Sequence, residues 1–127
     1  GARMIIGFNI AEHPMGSELT TKNKPGLAYV RYITGYVVGT EPIEIVEIIR
    51  NGEVFKTFKP DDYKFEFELD DTEALDKIAL ASEGNPSFIY YYIRARQADG
   101  HIAWASPIWV DLEVDATVAV KRPRKKK

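Results

Sequence analysis

Of the residues in this sequence whose side chains could ligate a metal or move a proton, the largest group is the carboxylates, 19 Asp and Glu among 127 residues. Cysteine is absent, and the two histidines are His13 and His101. Neither stands in a ligand spacing such as HxH or HExxH, the patterns that bring two imidazoles onto one ion. His101 follows a turn and reads as a solvated turn residue; His13 lies in the polar loop EHPMGSE, whose Pro and Gly shape the backbone. The paired carboxylates Asp61-Asp62 and Asp70-Asp71 have the right type for acid–base work or Ca²⁺ binding, provided other oxygen ligands converge on them. Both pairs flank one short segment, where Asp more commonly caps a turn through its own backbone, so the turn reading is preferred. Ser17 and Ser106 have neither a GxSxG turn nor an adjacent base, which leaves nucleophilic catalysis unsupported. The chain is therefore expected to carry no catalytic residue, no metal site and no cofactor.

Composition narrows the possibilities further. A chain of this length, 45% hydrophobic, builds one core. Without cysteine there is no disulfide framework, which mildly favours a reducing compartment but leaves the location open. No run approaches the ~20 apolar residues of a spanning helix, and the N-terminus shows no basic segment leading into an apolar run, so no membrane partner is expected. The net charge of −2 is uneven: six of the last seven residues are Lys or Arg, leaving residues 1–120 at −8. An acidic body disfavours nucleic-acid binding by the folded part, and the basic tail is the one stretch suited to anions. Block charges at chain ends usually stay solvated, so residues 113–127 are expected to form a disordered tail after a domain of residues 1–112.

The elements are legible from period-two patterning. Asn51-Gly52 predicts a two-residue hairpin joining residues 45–50 to 53–58, with Arg50 facing Glu53, Ile49 facing Val54, Ile48 facing Phe55 and Glu47 facing Lys56. Apolar residues on both faces of this hairpin call for a second neighbour or a bulge. Asp99-Gly100 predicts a second two-residue hairpin joining residues 88–98 to 101–110. That register places Ile89, Tyr91, Ile93 and Ala95 with Ile102, Trp104 and Ile108 on the core face. Pro107 marks an edge or a bend. Residues 63–69 (YKFEFEL) alternate cleanly, with Tyr63, Phe65, Phe67 and Leu69 inward. Residues 27–38 read as a strand with a bend or bulge at Gly35, residues 4–10 as a first strand, and residues 72–76 as a helical turn. Strand signals every ten or so residues describe an all-β, antiparallel, immunoglobulin-like β-sandwich of about seven strands.

The opposite face of the second hairpin carries Tyr90, Tyr92, Arg94 and Arg96 across from Trp109, Ala105 and Ala103. Tyr, Trp and Arg are enriched at interfaces because they join large buried area to directed hydrogen bonds, and the same rings can stack on sugars. An ordinary second face, with Arg stems covering Tyr rings, has the same composition.

The segments RMII (residues 3–6), HPMGSE (13–18), VGTEPI (38–43), IIRNGE (48–53) and YIRARQADGHIAWASPIWV (92–110) carry a resemblance. Over most of residues 3–111 the chain resembles the C-terminal region of the DUF3604 family, large proteins similar to the PHP (polymerase and histidinol phosphatase) metal-dependent phosphoesterases. In those proteins His and Asp residues on an upstream barrel hold the metals; none of those motifs is here, so no ligand carries over. The resemblance implies a non-catalytic β-sandwich appended to the barrel, with residues 1–4 just after the enzyme ends. The upstream catalytic domain of the same polypeptide becomes the expected partner. Met15 and Glu18, together with Tyr90, Tyr92, Arg94, Arg96 and Trp109, become candidate contacts. The alternatives are a carbohydrate- or other ligand-binding module using the aromatic face, and an independent hydrolase, which would need carboxylates converging in a pocket.

Overall fold

Residues 31–50, dense in Tyr, Val and Ile, form one strand of 20 residues that serves both layers of a sandwich. The computed structural model describes residues 3–113. In chain order it shows β1 (Ile5–Ile10), β2 (His13–Pro14), β3 (Glu18–Thr20), a 3-10 turn (Pro25–Ala28), β4 (Arg31–Arg50), β5 (Glu53–Phe58), β6 (Asp62–Asp71), the helical turn α1 (Leu75–Ile78), β7 (Leu80–Ser82), β8 (Asn85–Gln97), β9 (Ile102–Trp104) and β10 (Ile108–Leu112). The first half of β4 pairs with β1 and β6; its second half pairs with β5 and β8. β8 in turn pairs with β7, β9 and β10, and β3 adds to β10 as a parallel pair in an otherwise antiparallel sheet. This is the expected all-β, immunoglobulin-like sandwich. Counting β4 once in each layer and β9–β10 as one path, its long strands number seven.

The crossover in β4 falls between Val38 and Ile45, where the ladders to β6 and β8 both shift register. Gln97, wholly buried, pins it: its side-chain oxygen accepts from Thr40 N (3.1 Å), and its amide nitrogen donates to Thr40 Oγ1 (3.0 Å) and Asp99 Oδ2 (3.1 Å). Between the layers lie Phe8, Ile10, Ile33, Val37, Val46, Ile48, Phe67, Ile89, Ile93 and Val110. Each such side chain stabilises the fold by roughly 1.5–3 kcal/mol through burial.

Several expectations change in detail. The Asn51-Gly52 turn has positive φ at both residues (54° and 84°), as a two-residue hairpin requires, and Arg50–Glu53 and Ile49–Val54 pair as read. A bulge at Phe55 then moves Ile48 opposite Lys56 and Glu47 opposite Thr57, so the expected Glu47–Lys56 pair does not form. At the second hairpin only Gly100 has positive φ (92°); Asp99 does not. The chain closes a three-residue loop instead, with Gln97 N donating to His101 O (3.0 Å) and Gly100 N to Gln97 O (2.8 Å). A slip of one residue turns every side chain over. Ile102 and Trp104 therefore stand outward opposite Arg96 and Arg94, while Ala103 faces Ala95 and Ala105 is buried. The extra residue is absorbed around Pro107, where the strand is interrupted, and Ile108–Tyr91 and Trp109–Tyr90 pair as expected.

Gly35 is neither bend nor bulge: it sits in register between Phe8 and Phe67. Glycine is required because a Cβ there would stand 2.7 Å from Phe67 Cε2 and nearer still to Cζ. Residues 27 and 28 belong to the 3-10 turn and not to a strand, and α1 starts three residues later than expected. Within β6, Phe67 is buried and Phe65 and Leu69 are half-buried, but Tyr63, at the strand's start, is exposed. Glu113, read as the first tail residue, donates its N–H to Thr21 Oγ1 (2.9 Å); the rest of the tail, residues 114–127, lies outside the described residues.

Candidate interaction faces

Asp71 makes the turn bond expected of it, accepting from Glu73 N two residues on, but it also ends β6 inside the sandwich, opposite Arg31, and both are buried. Arg31 Nε donates to Tyr91 Oη (3.0 Å), its Nη1 to Leu27 O (2.8 Å) and its Nη2 to Glu73 O (2.6 Å), with Asp71 Oδ1 at 3.3 Å. Tyr91 donates to Asp71 Oδ2 (2.7 Å), which also takes Arg50 Nη1 (2.8 Å), while Glu73 N donates to Oδ1 (3.1 Å). Burial by itself would raise the Asp71 carboxyl; the bonds from Tyr91, Arg50 and Glu73 N outweigh it and hold the group below the usual carboxylate range. Burial first, then the neighbouring carboxylate, pushes the Tyr91 hydroxyl well above its ordinary value, against the opposing pull of Arg31. Arg31 and Arg50 are the two ends of β4, so this cluster ties the outer ends of both layers together. With every donor and acceptor satisfied, it is a staple and not a reactive centre. Sequence reasoning missed it, and its one signal was an Arg opening an apolar strand.

The remaining candidates for chemistry stay apart. His101 Nδ1 lies 3.0 Å from Asp99 Oδ2 within its own turn, Ser17 Oγ donates to Pro14 O (2.6 Å), and Asp62 Oδ1 accepts from Tyr63 N (2.6 Å). Asp61 has positive φ (52°), the turn role expected of it. Among the described residues no three His, Asp or Glu side chains are placed to hold a metal ion, and no helix is long and apolar enough to cross a membrane.

Six of the seven predicted contact residues come together on the outer face of β8 and its neighbours. Tyr90 and Trp109 are ladder partners whose rings stack at 4.9 Å, with Phe88 5.4 Å from Trp109. Glu18 stands beside Trp109 across the parallel pair. Tyr92 lies opposite Ile49. Arg94 reaches Glu47 Oε1 through Nη2 (2.6 Å) and Nε (2.8 Å), and Arg96 reaches Glu44 (3.2 Å). The seventh, Met15, is exposed in a loop anchored by Gly16 N donating to Pro107 O (2.9 Å), with no place in the ladder. The turned-over β9 adds two residues the sequence had assigned to the core, Ile102 and Trp104, the latter 59% exposed. They line a hollow of about 360 Å³ with Ile45, Glu47, Arg94 and Arg96. Both tryptophans of the chain thus stand outward on this one face.

The outer face of the other layer, β1–β4–β6, differs. A groove of about 460 Å³ runs along Asn9, Thr34, Tyr36, Glu66 and Glu68, and a second of about 500 Å³ continues past Val38 and Lys64. Tyr32 donates to Glu68 Oε2 (2.9 Å). That bond first, then slight desolvation and the fields of Glu68, Asp70 and Glu12, raise the Tyr32 hydroxyl above its ordinary value.

No family model matches the chain. Three relatives cover 88% of it: an uncharacterised protein of Chlamydia pneumoniae and one of Chlamydia muridarum, each 50% identical over 113 residues, and one of Chlamydia trachomatis at 48%. The chain spans only 18% of the length of these relatives, so they are far larger polypeptides that contain a domain of this kind. Among solved structures, a fibronectin(III)-like module of Clostridium thermocellum CbhA is similar at 15% identity and a TM-score of 0.40, over 84% of this chain and 95% of that one.

Proposed function

We propose that the chain is a non-catalytic accessory β-sandwich of a larger polypeptide, and that the outer face of β8, β9 and β10 packs against a neighbouring domain of that polypeptide. The observation that carries this reading is the exposed group Trp104, Ile102, Trp109 and Val54 on one sheet face, whose arginines are already paired with Glu44 and Glu47. Aromatic anchors ringed by satisfied polar groups are what an interface needs, and isolated domains rarely expose them together. The small share of the relatives that the chain spans supports a neighbouring domain. The resemblance to DUF3604 proteins supplies that neighbour's nature: a PHP-like metal-dependent phosphoesterase barrel upstream, whose access this sandwich supports or shapes.

Hydrogen exchange and acrylamide quenching of tryptophan, compared between the isolated chain and the whole parent polypeptide, test this. Slower exchange across residues 88–110 and shielded tryptophans are expected in the parent; equal rates in both forms would refute the packing. Phosphoester turnover by the isolated chain with Mn²⁺ would refute the non-catalytic role. Carbohydrate binding on the same face is the second reading, favoured by the hollow beside Trp104. Against it, Tyr90 stacks on Trp109 and Phe88 tilts against both, so these rings pack on one another in place of standing as a row of open faces. A glycan titration that shifts tryptophan emission would favour it over domain packing.

A further inference from the structure

The groove on the β1–β4–β6 face is the second unpartnered surface of the molecule, and its chemistry is opposite to that of the first. Register places Tyr32, Thr34 and Tyr36 of β4 beside Asp70, Glu68 and Glu66 of β6. Tyr32 and Tyr36 are 40% and 43% exposed, and Glu12 joins the group from the turn after β1. Lys64 is the one cation among the residues lining the two hollows, and no described salt bridge involves Glu12, Glu66, Glu68 or Asp70. A groove edged by open tyrosine rings and unneutralised carboxylates suits an extended chain of Lys and Arg, through charge and through contact of the cations with the ring faces.

Such a chain is part of this protein. Residues 121–127 (KRPRKKK) carry six positive charges and no negative one. Ile108 stands level with Tyr91 and Leu112 with Ser87, so β10 runs toward the end of the sandwich where Arg31 meets Tyr91, which is also the end of Tyr32 and Asp70. Residues 114–120 span up to about 23 Å when extended, against ~10 Å between sandwich layers and ~4.8 Å for each step between strands. A tether this short gives an effective concentration in the millimolar range, so even weak ion pairing is populated.

We propose that residues 121–127 dock intramolecularly along the groove formed by Tyr32, Thr34, Tyr36, Glu66 and Glu68, so that the basic segment covers the acidic face of its own domain. This inference is independent of the packing proposed for the tryptophan face and concerns the opposite layer.

The absence of cysteine permits a clean experiment: Lys125→Cys carrying a nitroxide, in the full chain, with paramagnetic broadening read on isotope-labelled backbone amides. The expected result is severalfold loss of signal confined to residues 32–36 and 66–70. It should disappear in about 1 M NaCl, where the Debye length is ~3 Å, and in the Glu66→Gln/Glu68→Gln variant, whose exposed substitutions leave the core untouched. Broadening that is absent, evenly spread, or centred on Trp104 and Trp109 overturns the proposal. So does broadening that survives both salt and the double substitution. Mixing spin-labelled molecules with separate isotope-labelled ones identifies the donor: an intramolecular occupant leaves the mixture unbroadened, whereas broadening that persists undiminished in the mixture assigns the groove to the segment of a second copy and overturns the intramolecular occupant.

Discussion

The two outer faces of this sandwich are made by the same strand, yet they treat charge in opposite ways. On the β8 side, Arg94 and Arg96 are matched by Glu47 and Glu44, and beside these pairs the large apolar side chains of Trp104, Ile102, Val54 and Trp109 stand open to solvent. On the β1–β4–β6 side, tyrosines stand across from carboxylates, of which Glu68 accepts from Tyr32 and none takes part in a described salt bridge. The first face matches its arginines with its own glutamates; the second sets Glu66, Glu68 and Asp70 against the single lysine Lys64. The difference follows from β4, whose outward positions are Ile45, Glu47 and Ile49 in one layer and Tyr32, Thr34 and Tyr36 in the other.

Both faces depend on the Arg31–Asp71–Tyr91–Arg50 staple, so the largest effect is expected there. Asp71→Ala leaves Arg31 charged and unpaired in the interior and should cost about 3–5 kcal/mol in urea unfolding, disturbing the two faces together; a loss below about 1 kcal/mol would mean the layers are held by packing alone. The same group sets an acid dependence. Because the carboxyl is held below its unfolded value, its contribution is fully present above that value, near 3.9, and is lost as pH falls from there through the folded value. The urea midpoint should therefore fall steeply below about pH 4 in the native chain and less so in Asp71→Asn.

Smaller effects separate the faces. Trp109→Ala removes the stack on Tyr90 and Phe88 and should cost about 1–2 kcal/mol, whereas Trp104→Ala, on the same face but open to solvent, should fall within about 0.5 kcal/mol in the isolated chain. Only in the parent polypeptide should Trp104→Ala become costly, by about 2 kcal/mol if the face is a docking anchor. Thermal melts of the chain and of the parent carrying the same substitution would show whether that gap exists. Among the charged positions, Glu47→Gln should lower stability by no more than about 1 kcal/mol, the range of a partly exposed ion pair. Any change from Glu66→Gln should be smaller and of either sign, since no cation faces it among the described salt bridges.

Some of this was legible in local patterning. The alternation of residues 63–69 placed Phe67 in the core, Asn51-Gly52 gave its turn correctly, and Tyr90 and Trp109 were placed across from each other. Trp104 was not legible. Asp99-Gly100 is compatible with either a two- or a three-residue loop; in the fold Asp99 lacks the positive φ of the shorter loop, and Gln97 beside it is bonded to Thr40, 57 positions away. That one-residue difference moved Trp104 from the core to the surface.

The sequence by itself determined the all-β class, the strand segments and the uneven charge, because each rests on near-neighbour periodicity and composition. Only the tertiary structure decided that β4 crosses between layers, that Asp71 is buried beside Arg31, and which way β9 faces. Those outcomes depend on contacts between residues 40 to 60 positions apart, whose hydrogen bonds and packing outweigh the local preferences of the segments they join.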